Sequence, residues 1–134
     1  MNVQYVPTEW VNQTWPQVEA FVASALEHSK GDYTAEAAKV MVTTGQWGLL
    51  VASNEGKIEG CALVHFFNRP NDRVCFITAI GGKLISNTDT FAQLKNFAAS
   101  MGATCIEGAA RESVARLWTR YGFEEKYRIV GVKL

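Results

Sequence analysis

The chain's 134 residues give room for one domain and a single sizeable core that needs neither disulfides nor metal. A hydrophobic fraction of 48% and a charged fraction of 19% exclude a disordered, collagen-like or coiled-coil chain. Thirteen basic and thirteen acidic residues cancel, and no run of Lys and Arg occurs, so non-specific binding to nucleic acid or to an anionic membrane surface is not expected.

The longest apolar stretches, Val18 to Leu26 and Cys61 to Phe67, fall well short of the roughly 20 residues that cross a bilayer. Met1 to Trp10 lacks the basic-then-apolar order of a secretory signal, and a cytoplasmic setting is expected. Cys61, Cys75 and Cys105 lie inside apolar runs with no C-x-x-C spacing, which reads as three reduced core thiols. With His28 and His65 far from any ligand spacing, no metal site is expected.

In chain order, Asn2 to Val6 suits an edge strand. Thr14 with Gln17 forms a capping box, and Trp15, Val18, Val22, Ala25 and Leu26 then share one helical face until Lys30 and Gly31. A shorter helix is predicted from Thr34 to Thr44, with Ala37, Val40 and Met41 inward and Gly45 at its end. The period then changes to that of strands. Trp47 to Ser53 and Lys57 to Phe67 flank the turn formers Asn54, Glu55 and Gly56, and a second turn at Asn68 to Asp72 leads into Arg73 to Ile80. Three strands so tightly joined must be antiparallel neighbours.

Thr90 with Gln93 makes another capping box for a helix carrying Phe91, Leu94, Phe97, Ala98 and Met101, stopped by Gly102. A short strand, Thr104 to Gly108, follows; a strand, helix, strand passage is a right-handed crossover, so it should lie parallel to Arg73 to Ile80. The last helix, Glu112 to Tyr121, presents Val114, Leu117, Trp118 and Tyr121, closes at Gly122, and leads to a final strand within Phe123 to Leu134. The sum is an α/β single domain, a mostly antiparallel mixed sheet with one parallel pair and helices on both faces.

The run Arg116-Leu117-Trp118-Thr119-Arg120-Tyr121-Gly122-Phe123 after Arg111 resembles the last helix of the GNAT (Gcn5-related N-acetyltransferase) superfamily, and the order of elements agrees. The resemblance looks closest to small GNAT-like proteins of tailed bacteriophages, through Gly45 to Val51, Ala79-Ile80-Gly81-Gly82, and Gly108 to Arg111 followed by Ala115-Arg116-Leu117. It implies a GNAT-like fold over most of the chain. Some such relatives are acetyltransferases and others are internal or virion-associated proteins, so the fold alone leaves function open.

Enzymes of the superfamily carry a glycine-containing loop before the helix that follows the fourth strand, where bare backbone amides meet the pyrophosphate of acetyl-CoA. Here Gly81 and Gly82 come at once after the strand, and Asp89 sits beside the helix start, where a carboxylate opposes a diphosphate. Arg111 stands where the superfamily's helix-opening Asn is found. Trp118 replaces its general-acid Tyr, and an indole N–H is neither acid nor base near neutral pH. Glu59, His65, Glu107 and Tyr121 are the remaining catalytic candidates.

These departures make a GNAT-like accessory protein with a degenerate acetyl-CoA site the expected function: a binder of protein partners, such as other virion components, with no cofactor. The alternative is an active acyl-CoA-dependent N-acetyltransferase acting on a primary amine, with acetyl-CoA against Thr78, Ile80, Gly81, Gly82, Lys83 and Arg111. Its pantetheine arm would lie between splayed fourth and fifth strands.

Overall fold

The computed structural model describes residues 1–27, 32–84 and 87–134. Its strands are β1 (Asn2–Val6), β2 (Gly48–Asn54), β3 (Lys57–Asn68), β4 (Arg73–Gly82) and β5 (Cys105–Gly108). Its helices are α1 (Val11–Leu26), α2 (Ala35–Thr43), α3 (Thr88–Ser100) and α4 (Glu112–Trp118), with 3-10 turns at Thr8–Trp10 and Thr119–Tyr121. The strands stand in the sheet in chain order. β1 to β4 are successive antiparallel neighbours and β5 is parallel to β4, as the crossover argument requires.

Local chemistry explains most of these elements. Glu55 and Gly56 form the two-residue turn between β2 and β3, with φ of 52° and 81°. Positive φ at both positions twists the chain in the sense the flanking strands need. Thr34 opens α2, its Oγ1 accepting from Ala37 N at 3.1 Å, and Gly45 at φ 81° lets the chain leave the helix.

Two cores lie on opposite faces of the sheet. On one, Val11, Trp15, Val18, Val22 and Leu26 of α1 meet Leu49, Val51, Cys61, Leu63 and Ala79, with Ala38 and Val42 of α2 alongside. On the other, Phe91, Leu94 and Ala98 of α3 and Trp118 of α4 meet Leu50, Ala52, Ala62, Val64, Cys75 and Ile77. β4 serves both cores because the β3–β4 register shifts between Leu63 and Val64, which pair with Ala79 and Ile77. Thr78 is the extra residue of this bulge, and its Oγ1 donates to Leu63 O at 2.9 Å.

The structure corrects several expectations. Helix α1 begins one turn before Thr14, because Val11 is buried and belongs to the same apolar stripe; Thr14 Oγ1 donates back to Trp10 O at 3.0 Å instead of capping. Helix α3 is capped by Asn87, whose Oδ1 accepts from Thr90 N at 2.8 Å, so Thr90 and Gln93 are not its capping box. In α2 the inward residues are Ala38 and Val42, with Val40 exposed. Met101 and Leu117 are likewise exposed.

The final strand expected within Phe123 to Leu134 does not form, and the sheet ends at β5. Apolar residues there occupy both parities, so a strand would need cover on two faces, which the chain does not supply. The proposed stop of α1 at Lys30 and Gly31, and His28, lie outside the described residues. Among the described residues no helix is long and apolar enough to cross a membrane, and no group of His, Cys, Asp and Glu could hold a metal.

All three cysteines are free; Cys61 and Cys75 are buried and Cys105 is half-buried. Burial pushes the Cys61 thiol up to about 12 and that of Cys75 up to about 11. Native protein should therefore react with a thiol reagent at Cys105 first, leaving Cys61 and Cys75 unlabelled until unfolding; fast native labelling of all three would contradict this packing. Stability that these neutral thiols carry should be intact below pH 9.0, the unfolded value, and fall as pH rises toward 11 and 12.

Close backbone contact fixes the end of β4. A Cβ on Gly81 would lie 2.7 Å from Phe21 O of α1, and one on Gly60 would lie 2.6 Å from Lys83 N. Gly81→Ala should cost about 1–3 kcal/mol in urea unfolding, the range for overpacking against an element that cannot yield. An unchanged midpoint would show that α1 is free to shift.

Candidate functional site

β4 and β5 run together for only four pairs, from Val74↔Cys105 to Ile77↔Gly108. At the bulge they part: β4 continues through Thr78 to Gly82 while β5 ends. Past Ile77, therefore, no strand among the described residues neighbours the edge of β4 that faces away from β3. A strand edge of this kind presents unpaired N–H and C=O groups to any extended chain that carries amides.

The candidate cofactor residues line this parting of the strands and its approaches. Thr78 is bonded to β3 at the bulge, and Ile80 faces the α3 core, half-exposed. Gly81 and Gly82 are the last two residues of β4, paired with Cys61 and Gly60, rather than residues of a loop beyond the strand. Their missing side chains let β4 approach Phe21 and β3, a packing reason for both glycines. Lys83 N donates to Glu59 O at 2.9 Å, continuing the ladder. Arg111 is exposed at the start of α4 and makes no side-chain cap. Of the segment Gly81 to Thr90, Ile85 and Ser86 lie outside the described residues. Asp89 occupies the first turn of α3, where its Oδ2 accepts from Gln93 Nε2 at 3.0 Å.

Trp118 closes the parting from the α4 side. It is buried, and a Cβ on Gly108 would come 2.9 Å from its Cζ3. Only glycine fits beneath the indole. Phe123 packs against Trp118 at 5.0 Å between ring centroids. Tyr121 packs at 5.2 Å against Phe91, half-buried in the same aromatic group.

Two of the catalytic candidates share the opposite face. His65 pairs with Phe76, and Phe76 with Glu107, in one row across β3, β4 and β5. His65 and Glu107 are thus two strand spacings apart, roughly 9.5 Å. His65 lies among Trp47, Phe67 and Phe76, with centroid distances of 6.2, 5.5 and 5.4 Å. Its Nδ1 is buried with no hydrogen-bond partner. Burial in this aromatic surround lowers its pKa, so the imidazole is neutral at pH 7 and keeps a lone pair.

Glu107 is differently placed. Its side chain is 10% exposed and held by two cations, Arg69 Nη2 on Oε1 at 2.9 Å and Lys126 Nζ on Oε2 at 2.9 Å. Arg69 also reaches both carboxylate oxygens through Nη1, at 3.0 and 3.1 Å, and its Nη2 donates to Tyr127 Oη at 3.2 Å. A carboxylate so committed is a poor general base. Glu59 sits at the β2–β3 irregularity, half-exposed, on the far side of Leu63 from His65. Tyr121 is on the other face altogether.

The aromatic surround of His65 and the Arg69–Glu107–Lys126 cluster were not foreseen. The first was within reach, because the Asn68 to Asp72 turn places His65 opposite Phe76 once the hairpin is accepted. The second joins residues far apart in sequence and has no local signal.

Comparisons with known proteins agree with this architecture. No family model matches the sequence, and a search of curated proteins finds no relative. Solved structures do match over the whole chain. The ribosomal-protein-alanine N-acetyltransferase from Brucella melitensis biovar Abortus 2308 is similar at a TM-score of 0.72 and 12% identity, covering 100% of both chains. An aminoglycoside acetyltransferase from an uncultured soil metagenomic sample, solved in complex with sisomicin, gives 0.70 and 12%, covering 99% of this chain and 95% of its own. The aminoglycoside N-acetyltransferase AAC(6')-Iy, solved in complex with CoA, gives 0.69 and 12%, covering 99% and 93%.

The lowered pKa of His65 has a measurable consequence. The unfolded chain takes up that proton first, so stability attached to the neutral imidazole is complete above pH 6.5 and is lost as pH falls through the lower folded value. NMR titration should place the His65 midpoint below 6.5, and His65→Phe should flatten the acid side of the stability profile. A midpoint at or above 6.5 would remove His65 as a neutral base. With mixed sheet, parting strands and full-length structural neighbours in agreement, the chain has the GNAT acetyltransferase fold.

Proposed function

We propose that this protein is an acyl-CoA-dependent N-acyltransferase acting on an amine, with acetyl-CoA as the acyl donor. The observation that carries the reading is the bare edge of β4 beyond Ile77. The pantetheine arm of acetyl-CoA contains two amides in an extended chain, and a strand edge is the surface that hydrogen-bonds such a chain. The neighbouring half-exposed Ile80 suits its methylene portions. Bound acetyl-CoA supplies an activated thioester.

The residues present then have definable work. The edge of β4 orients the acyl donor, and Gly108 with Trp118 over it closes the end of the parting against water. His65, neutral and two residues along β3 from the Thr78 bond to Leu63, takes the proton released as an amine nitrogen bonds the acyl carbon, directly or through one water. The C–S bond breaks as the C–N bond forms, and the thiolate recovers a proton from solvent, because Trp118 cannot donate one.

A second reading is favoured by Asp89 and Trp118: a GNAT-fold protein with a degenerate site that binds protein partners, as in the phage-encoded relatives that the sequence resembles. Asp89 in the first turn of α3 opposes a diphosphate, and Gly81 and Gly82 are occupied with packing.

Calorimetry with acetyl-CoA separates the two. The transferase reading expects a micromolar dissociation constant, and Asp89→Asn should tighten it roughly threefold to fivefold by removing one like charge near the phosphates. His65→Phe should then leave binding intact and depress turnover with a panel of amines. Absence of binding at millimolar acetyl-CoA would overturn the transferase reading and leave the partner-binding one.

A further inference from the structure

β3 continues past the end of β2. Their ladder stops at Gly48↔Val64, while β3 runs on beside β4 to Asn68↔Arg73. Leu63 O accepts from Thr78 of β4, so by the alternation of a strand the N–H and C=O of Phe66 face the other way, toward the line of β2. The chain before β2 does not serve them, because Gln46 N and Trp47 N both donate to Met41 O of α2 at 3.0 Å. Among the described residues Phe66 has no main-chain partner on that side. At β1, by contrast, the chain closes its own edge: Gln93 Oε1 accepts from Val3 N at 2.8 Å and Gln93 Nε2 donates to Met1 O at 2.9 Å.

Beside Phe66, on the α3 face, lies a hole of about 230 Å³. Tyr5, Val64, Phe66, Phe97 and Met101 are among its walls, and Gly48 leaves it open, since a Cβ there would fall 3.4 Å from Tyr5 Cε2 and 3.6 Å from Val64 Cγ2. Tyr5 is 45% exposed and Met101 49%, and apolar walls around an open hole mark a surface that something covers. An apolar cavity of about 150 Å³ already takes benzene, so this one has room for one large aliphatic or aromatic side chain. Arg73 stands at the rim, its guanidinium 5.4 Å from the Phe66 ring centre. Its Nε donates to Met101 O at 3.3 Å and its Nη1 to Asn68 Oδ1 at 3.1 Å, and it enters none of the described ion pairs.

We propose that this site docks an extended peptide segment of a protein partner, paired with Phe66 in line with β2. One residue of an open edge, offering both its N–H and its C=O, matches one residue of an extended chain. Residues directly opposite in a ladder share a face, so the partner residue bonded to Phe66 sends its side chain to the α3 face, into the hole. Residues two apart also share a face, and the position opposite Asn68 brings an acidic side chain to Arg73. With the segment antiparallel to β3, as β2 is, the acidic residue comes two positions before the apolar one. The partner's signature is therefore an acidic residue, any residue, and a large apolar residue in an extended stretch.

NMR titration of the isotope-labelled full chain with a short end-blocked peptide, carrying Asp, Ser and Leu in that order at its centre, tests this without any acyl transfer. Saturable shifts should centre on the amides of Phe66, Gly48 and Met101. Replacing the peptide's Leu by Ser, or methylating that residue's amide nitrogen to remove the donor to Phe66 O, should abolish them. Arg73→Gln should weaken binding roughly threefold to fivefold with the spectrum otherwise native, and a peptide with Asn for Asp should bind parent and variant alike. Absence of shifts at Phe66 at millimolar peptide overturns the proposal. So does binding that the N-methylated peptide retains, because the hole then takes apolar groups without strand pairing.

Discussion

β4 changes faces at Thr78, and the rest of the molecule depends on that single inserted residue. Before it, Cys75 and Ile77 point to the α3 side; after it, Ala79 points to the α1 side. The same bulge coincides with the last β4–β5 pair, Ile77↔Gly108. A regular strand would keep one face and stay beside β5. The bulged one bends away, brings Gly81 against the α1 backbone at Phe21, and leaves its other edge bare. Packing and the candidate donor site are therefore one feature, because the local twist that opens the edge also seats α1.

The face carrying His65 has a different electrostatic design. Glu107 is nearly enclosed, and an enclosed carboxylate is tolerable only with its charge matched and its oxygens bonded. Arg69 and Lys126 supply both, from the β3–β4 turn and from the chain beyond α4. Arg69 also lies over Phe67 at 5.0 Å, so one guanidinium joins the aromatic group to the acidic one. With Glu107 committed to Arg69 and Lys126, its carboxylate is not available to His65, whose Nδ1 has no hydrogen-bond partner among the described residues.

The sequence was most legible where chemistry is local. The Glu55-Gly56 turn, the Thr34 cap, the glycine stops and the antiparallel order of β2, β3 and β4 all follow from short-range rules, and the parallel placement of β5 from chirality. Errors arose where tertiary burial outweighed a local motif. Thr14-x-x-Gln17 looks like a capping box, yet burying Val11 extends the helix past it. Thr90-x-x-Gln93 fails because Asn87 is the better-placed cap and Gln93 is drawn to β1. The Gly81-Gly82 pair looks in sequence like an exit from the strand, whereas close approach of Phe21 and Gly60 keeps it inside β4. At the site, His65 is visible in the sequence as a residue but not as a neutral one, since its aromatic neighbours come from two strands, β3 and β4, and the segment before β2.

Gln93 bears on how the chain reaches this state. It bonds residues at opposite ends of a sequence separation of 90 and 92, so the outer edge of β1 is completed only after α3 has formed and packed. β1 is five residues long and exposed along most of its length, and it is joined to β2 across the whole of α1 and α2. Contacts this non-local return little until late in folding, when most loop-closure entropy has already been lost. The first strand in the sequence is thus among the last parts to settle, and the nucleus belongs to the β2–β3–β4 meander, whose turns are short. During synthesis the emerging N-terminal strand has no ladder partner until β2 has left the ribosome, and its outer edge has none until Gln93 follows.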